Sequence, residues 1–225
     1  KKLEFHINLK ILARFNQAID ADKGTMFTIQ VQEFEKDGLL FMASNMSPNY
    51  MALTLAHLET NILNEALDNQ SYYGIYAAMI RPNSKARIVS WLGDQPLVFY
   101  KFEPSDIELI KDALTKASKL LFTSGAKEIN LPMIGTGTFK TFEGVQRALE
   151  TISQKCLELQ TLHVMSSCPM GQGREDAIVD LQGRLNEFDN IFICDASVLP
   201  TNIGESPQGT IMAFAYEIIL RHLNG

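Results

Sequence analysis

Near its C-terminus the chain passes from an apolar strand through a crowded loop into an apolar helix, in the stretch "CDASVLPTNIGESPQGTIMAFAYEII" (Cys194 to Ile219). The stretch contains four residues that restrict or free the backbone: Pro200, Gly204, Pro207 and Gly209. The helix, Thr210 to Leu223, is apolar nearly all round, so we expect it to be buried on several sides. Its first turn offers unpaired amides and the positive end of the helix dipole. The segment therefore indicates a site for an electron-rich ring or an oxyanion. The alternative is a C-terminal helix docked behind an ordinary loop.

Charge and composition exclude several kinds of partner. The chain has 225 residues, a formal net charge of -6 and a pI near 5.3, so it offers no basic stripe for nucleic acid and no polybasic membrane anchor. No apolar run approaches the roughly 20 residues that span a bilayer. Cys156, Cys168 and Cys194 form no disulfide framework, which predicts reduced thiols and a cytoplasmic location. No C-x-x-C or H-E-x-x-H pattern occurs, so no metal site is predicted.

Hydrophobic periodicity predicts strands grouped in the first half of the chain. Thr25 to Phe34 alternates apolar and polar residues, and "DGLLFMAS" follows after a turn, which predicts a hairpin. "YYGIYAAMI" predicts a buried strand, and "ARIVSW" and "LVFYKF" predict a second hairpin around a Gly93-Asp94 turn. Two short strands, Ala177 to Val179 and Ile191 to Cys194, are predicted before the C-terminal loop.

Besides the C-terminal helix, three helices are predicted. One opens at Ser47-Pro48 and presents an apolar face as far as Ala66. The second covers Ser105 to Thr123, and the third runs from about Gly144 to Leu159. Because strands precede helices instead of alternating with them, the sequence predicts an α+β fold, with a mostly antiparallel sheet and helices on one side. After Thr161 the regular apolar spacing gives way to a loop-like sequence, so we expect one domain over residues 1–161 and a second over 162–225.

Two Gly-rich segments do not form a nucleotide-binding fingerprint. In "MIGTGTF" (Met133 to Phe139) the third glycine of the G-x-G-x-x-G pattern is replaced by Lys140, and no βαβ unit surrounds it. "GQGRED" (Gly171 to Asp176) fails for the same reasons. We therefore expect these segments to be connecting loops.

Four motifs in order resemble the C-terminal part of the glucose–methanol–choline (GMC) family of FAD-dependent oxidoreductases. They are "HVMSSCPMG", "AIVD", "NIFICDASVLPTNIG" and "SPQGTIMA", and together they span about Leu162 to Leu223. The upstream "MIRPNSKARIVSW" and the Ser105 to Gly125 helix resemble the substrate domain of that family more loosely. The resemblance implies a GMC-type substrate-binding domain over 1–161 and a flavin-site segment over 162–225.

The resemblance also implies an activity, oxidation of an alcohol with FAD as cofactor. His163 takes the place of the active-site histidine, a base that takes or holds the hydroxyl proton while hydride passes from the alcohol carbon to flavin N5. Asp195 and Ala196 match the segment that approaches the FAD pyrophosphate and ribityl chain. Four residues match the turn beside the isoalloxazine ring: Pro207, Gln208, Gly209 and Thr210. The aromatic and aliphatic character of the substrate-domain elements favours a hydrophobic or long-chain alcohol as substrate.

The chain departs from the family pattern at two positions. Ser206 stands where the family has Asn or His as the second member of the catalytic pair, and Ser166 replaces a glycine. The FAD fingerprint, which lies upstream in the family, is not present in this sequence. The chain begins without Met, in a sequence that is typical of a strand. We therefore expect an FAD-binding domain upstream or on another chain, and little FAD binding by these residues alone. The last segment should then face solvent. The alternative function is a non-catalytic, family-derived binding module that has lost flavin chemistry.

Overall fold

The computed structural model describes residues 2–44, 46–92, 95–173 and 175–224. The chain divides into two compact units whose segments alternate along the sequence. The first unit contains Lys1–His6, Arg81–Glu103 and Thr161–Gly225, and the second contains Ile7–Ile80 and Pro104–Gln160.

The second unit is built on a five-stranded antiparallel sheet with the strand order β3-β4-β5-β2-β8. Its strands are β2 (Ile7–Phe15), β3 (Gln30–Val31), β4 (Leu39–Ala43), β5 (Tyr73–Ile80) and β8 (Ala126–Asn130). The central pair, β2 and β5, is almost entirely buried.

Helices flank both faces of this sheet, whereas the sequence predicted helices on one side. The helices are α1 (Pro48–Thr54), α2 (Thr60–Asp68), α3 (Pro104–Thr123) and α4 (Phe142–Glu150). Leu12 of β2 packs with Met51 and Leu55 at the end of α1. Its neighbour Ile11 points to the opposite face, where it lines a cavity with Leu121 of α3. Apolar residues on both faces of β2 require cover on both sides.

The first unit contains a four-stranded antiparallel sheet with the strand order β7-β6-β1-β9. The strands are β1 (Lys2–Phe5), β6 (Ala86–Leu92), β7 (Gln95–Phe99) and β9 (Val164–Met165). The unit ends with the helix α5 (Gln208–Asn224). Antiparallel sheets combined with helices confirm the predicted α+β class.

Several predicted elements occur where expected. The buried strand is β5, the second hairpin is β6–β7, and the long helix is α3, which begins one residue before Ser105. The predicted Gly93-Asp94 turn lies outside the described residues.

Other predicted elements are shorter or divided. The predicted strand Thr25 to Phe34 is wrong except at Gln30–Val31, because its residues are largely exposed and Phe27 has a φ of 59° that interrupts extended backbone. The predicted Ser47 to Ala66 helix is two helices, α1 and α2, that pack into one apolar cluster. The turn between them is closed by a hydrogen bond from Leu58 N to Leu55 O (2.9 Å).

The remaining differences lie in the last third of the chain. The helix predicted to reach Leu159 ends at Glu150, because the Ser153 hydroxyl accepts a hydrogen bond from Lys155 N and starts a separate 3-10 turn. The strands predicted at Ala177 to Val179 and Ile191 to Cys194 are only isolated bridges.

The division into units differs from the two predicted domains. A change of unit falls between Gln160 and Thr161, next to the predicted boundary. However, β1 and the β6–β7 hairpin belong with the C-terminal segment, because β1 pairs with both β6 and β9. Among the described residues, no helix is long and apolar enough to cross a membrane.

Candidate active site

His163 lies in the first unit, directly before β9 and half-buried. Strand β9 pairs with β1, with Val164 opposite Phe5 and Met165 opposite Glu4. The His163 carbonyl also accepts a hydrogen bond from His6 N (3.3 Å). The predicted catalytic histidine is therefore anchored to a sheet edge, although its sequence predicted a constrained loop.

A second histidine, His6, was missed by the sequence analysis. It is fully buried, and its Nδ1 lies 3.2 Å from Nδ1 of His163, with the two rings perpendicular. Its Nε2 accepts a hydrogen bond from Gly204 N (3.0 Å). Burial, and then the nearby His163 and Arg81, lower the pKa of His6 to about 4, so the ring is neutral at pH 7.

The segment after His163 runs beside the predicted FAD segment. Three backbone amides of this segment donate to the carbonyls of Ala196, Ser197 and Val198, from Ser166 (3.4 Å), Cys168 (3.0 Å) and Met170 (2.8 Å). Asp195 caps the 3-10 turn Ala196–Val198, because its Oδ1 accepts a hydrogen bond from Ser197 N (2.8 Å). Asp195 is exposed and Ala196 is half-buried. Two of the predicted motifs are thus brought together.

The loop after this turn is held by Glu4 of β1. The buried Glu4 carboxylate accepts hydrogen bonds from Thr201 Oγ1 (2.8 Å) and Asn202 N (2.9 Å), and Lys2 Nζ lies 2.5 Å from its other oxygen. Burial raises the pKa of Glu4, but the bonds from Lys2, Asn202 and Thr201 outweigh it, so the net pKa is below the ordinary value. Gly204 follows in this loop with a φ of 80°, a conformation that favours glycine.

The predicted ring-facing turn forms the start of α5. Pro207 is buried, Ser206, Gln208 and Gly209 are exposed, and Thr210 is half-buried. Among the α5 residues whose burial is described, only Ile218 is buried, and it packs against Gly183. One apolar face stays exposed: Met212, Tyr216, Ile219 and Leu223. The described residues therefore do not bury α5 on several sides, and this face is exposed to solvent.

Two sets of hydrogen bonds thus link the predicted site residues. His163 is joined to the Gly204 loop through His6, and the Asp195 turn is bonded to the segment that follows His163. Within the described residues, no group of three or more His, Cys, Asp or Glu side chains could hold a metal ion. In the sequence, "LEFHINL" alternates apolar residues with Glu4 and His6, and this pattern was the one signal that could have drawn attention to His6. It does not predict that His6 contacts His163, which is 157 residues away.

Comparisons with known proteins point to one family. The family model described as GMC oxidoreductase matches residues 94–215. An uncharacterized GMC-type oxidoreductase, y4nJ of Sinorhizobium fredii, is 30% identical over 219 residues, which cover 96% of this chain and 43% of that protein. The long-chain-alcohol oxidase FAO3 of Arabidopsis thaliana is 28% identical over 137 residues, which cover 54% of this chain and 18% of that protein.

Solved structures show the same fold. The pyridoxine 4-oxidase from Mesorbium loti aligns with a TM-score of 0.61 at 16% identity, over 100% of this chain and 43% of that one. A formate oxidase variant of Aspergillus oryzae, studied for FAD modification, aligns with a TM-score of 0.63 at 12% identity, over 99% of this chain and 47% of that one. The chain spans less than half the length of these proteins. The match of the family model over more than half of the residues shows that the chain belongs to the GMC oxidoreductase family.

Proposed function

We propose that these residues are the substrate domain and the C-terminal active-site segment of an FAD-dependent alcohol oxidoreductase. The observation that carries the proposal is the connection of His163, through the buried His6, to the Gly204 loop that leads into Pro207–Thr210. These are the positions at which the family motifs place an active site. Family membership supports the reaction class.

The residues at the start of α5 fit a flat ring system. Gly209 is exposed, and no atom lies within 4 Å of the position that a Cβ would take there. The first turn of a helix also carries unpaired amides and positive partial charge, which favour electron-rich groups. Asp195 is exposed and can accept hydrogen bonds from hydroxyl groups. Asp195, Ala196 and Pro207–Thr210 would hold FAD, with the rest of its site outside these residues.

In this proposal a bound FAD would supply the hydride acceptor for oxidation of the alcohol carbon. His163 binds the reacting oxygen and either takes the hydroxyl proton as a base or holds it through a hydrogen bond. Ser206 follows the Gly204 loop and can donate one hydrogen bond. Its hydroxyl cannot act as a base near neutral pH. Glu4 keeps this loop in place through Thr201 and Asn202.

We further propose a hydrophobic alcohol as the substrate. A cavity of about 240 Å³ in the second unit is lined by Ile11, Phe41, Tyr76 and Leu121 together with other apolar residues. Matching relatives include a protein named long-chain-alcohol oxidase and one named cholesterol oxidase, from Acinetobacter baumannii. An apolar cavity and these names both favour an alcohol with a large apolar part.

The test uses the full-length protein that contains these residues. It should purify yellow, and long-chain alcohols should bleach the flavin without added enzymes. His163→Ala should slow flavin reduction by roughly 10² to 10⁴ in stopped-flow absorbance. A rate equal to that of the unaltered protein would remove His163 from the mechanism.

A second function, a family-derived binding module without flavin chemistry, rests on one observation. Ser206 is exposed and replaces the second residue of the catalytic pair. Colourless full-length protein that reduces no dye with any class of alcohol would support the module and contradict the enzyme.

A further inference from the structure

The buried His6 has both ring nitrogens engaged, and its two partners differ in chemistry. Its Nε2 lies 3.0 Å from the amide nitrogen of Gly204, and its Nδ1 lies 3.2 Å from Nδ1 of His163. A backbone amide can only donate a hydrogen bond, whereas an imidazole nitrogen can donate or accept. The Gly204 contact therefore assigns a lone pair, and no proton, to Nε2 of His6.

The proton of His6 must then be on Nδ1. A neutral imidazole carries one N–H, and His6 is neutral because its full burial, His163 and the positively charged Arg81 all oppose protonation. Nδ1–H of His6 points at Nδ1 of His163, which accepts it. A neutral His163 ring with an accepting Nδ1 carries its own proton on Nε2.

We infer that His6 is a positioning residue that holds His163 in its Nε2–H form, so that His163 presents a hydrogen-bond donor to the alcohol oxygen. This inference rests on the proposed function, because the donor acts on an alcohol oxygen only if the substrate site is the proposed one. It selects between the two roles proposed for His163: the ring holds the reacting oxygen and does not begin as a base.

The opposite arrangement is unfavourable for a physical reason. If His163 carried a proton on Nδ1, His6 would have to accept it and carry its own proton on Nε2. That proton would face the N–H of Gly204 across 3.0 Å, so two donors would oppose each other, one of them on the fully buried His6 ring. A doubly protonated His163 meets the same obstacle, and Arg81 adds a like charge beside His6. The Gly204 amide thus fixes the proton positions of both rings.

The first test reads the protons directly by NMR of the full-length protein with ¹⁵N-labelled histidine. Spectra of His163→Gln and His6→Leu assign the two rings. In the unaltered protein, His163 should show a protonated Nε2 and an unprotonated Nδ1 from pH 8 to pH 5. In His6→Leu, which has no donor, His163 should show both tautomers and gain a second proton as the pH falls.

His6→Asn is the matched control, because the Asn side-chain nitrogen can take the place of Nδ1 and still donate to His163. His163 should keep its Nε2–H form in this variant. An Nδ1–H form of His163 in the unaltered protein, or identical His163 spectra in the unaltered and His6→Leu proteins, would overturn the inference.

The second test measures flavin reduction by an alcohol in the same full-length variants. His6→Leu should lower the rate by about 10- to 100-fold, by analogy with the hydrogen-bond partners that orient metal-binding histidines. It should also add a titration of His163 to the pH–rate profile. His6→Asn should lower the rate less and leave the profile unchanged. A full-length protein without flavin would contradict the proposed function, while the NMR spectra would still decide the tautomer. An active enzyme whose His163 carries Nδ1–H would contradict the inference alone.

Discussion

Ser166 combines two unfavourable features at one position. It is a non-glycine residue with a φ of 70°, and it is fully buried. Its hydroxyl oxygen finds no hydrogen-bond partner among the described residues. The resemblance to the GMC family places a glycine here, and glycine would adopt this φ without strain. The backbone conformation at this position therefore suits glycine better than serine.

Ser166→Gly should stabilise the protein by about 1–4 kcal/mol. Relief of the left-handed backbone strain and loss of an unpaired buried hydroxyl contribute about 1–2 and 1–3 kcal/mol. The extra freedom of glycine in the unfolded chain offsets about 0.5–1 kcal/mol. Free energies of unfolding in urea measure the effect. Ser166→Ala, which removes the hydroxyl but keeps the Cβ, should gain less; a more stable alanine variant would show that the backbone is not strained.

His6 should make the folded state sensitive to mild acid. Its pKa is about 4 in the folded state, against an ordinary value of 6.5. Between these values the unfolded chain binds a proton that the folded state does not, so stability falls as the pH drops from about 6.5 towards about 4. The slope approaches about 1.4 kcal/mol per pH unit, roughly 3 kcal/mol over the window.

Urea unfolding between pH 6.5 and 5 measures this effect with little contribution from the Glu4 carboxyl group, which titrates at lower pH. His6→Gln should flatten the dependence of unfolding free energy on pH in this window. Equal slopes in both proteins would assign the acid sensitivity to other groups.

The residues of the site differ in how far the sequence could predict them. His163, Asp195 and Pro207–Thr210 follow from motif order, because each motif is local in the chain. His6 could not be predicted in this way, since its role depends on pairing between β1 and β9 across more than 150 residues. Long-range strand pairing leaves no local pattern in a single sequence.

At the scale of elements, α5 packs closely against its unit at Gly183. Gly183 has a φ of 77°, and a Cβ there would lie 2.8 Å from Cδ1 of Ile218, the buried residue of α5, and 3.0 Å from the carbonyl oxygen of Ile193. Helix α5 therefore packs directly against the backbone at Gly183 through Ile218.

Gly183→Ala should destabilise the protein by about 2–5 kcal/mol, since left-handed strain costs about 1–2 kcal/mol and overpacking about 1–3 kcal/mol. Gly173→Ala is a matched control, because Gly173 has a φ of 69° but no atom within 4 Å of its Cβ position. The control should lose only the strain component in urea unfolding. Ile218→Val, which removes Cδ1, should recover part of the loss when combined with Gly183→Ala, and additive effects would contradict the proposed clash.

The elements themselves were predicted well where periodicity and burial coincide. Helix α3 and strand β5 match because each has a continuous apolar pattern that faces a core. The Thr25 to Phe34 alternation misled, because most of that segment is exposed and does not face a core. The predicted helix over Ser47 to Ala66 divided because a single apolar stripe can be satisfied by two short helices around one cluster.

At the scale of the whole molecule, the two units are not consecutive stretches of sequence. Strand β1 and the β6–β7 hairpin join the C-terminal segment, so the proposed active site includes residues from both ends of the chain. A boundary drawn along the sequence could not show this, since composition changes only near residue 161. The C-terminal motifs thus depend on the first six residues for His6 and Glu4.

The exposed face of α5 provides a prediction at this largest scale. Met212, Tyr216, Ile219 and Leu223 recur at helical spacing, and Met212 is 64% exposed. The proposed function requires this face to be covered by the FAD-binding domain in the full-length protein. The rate of methionine oxidation by hydrogen peroxide, followed by mass spectrometry, measures whether this face is covered, because exposed methionines oxidise faster than buried ones.

Two other methionines calibrate the measurement: Met26 is 46% exposed and Met51 is fully buried. In the 225-residue chain, Met212 should oxidise at least as fast as Met26, while Met51 stays protected. In the full-length flavoprotein, Met212 should become as slow as Met51, because a covered apolar face excludes peroxide together with water. Fast oxidation of Met212 in both proteins would show that α5 does not return into a second domain, and the proposed flavin site would then lose the helix on which it is built.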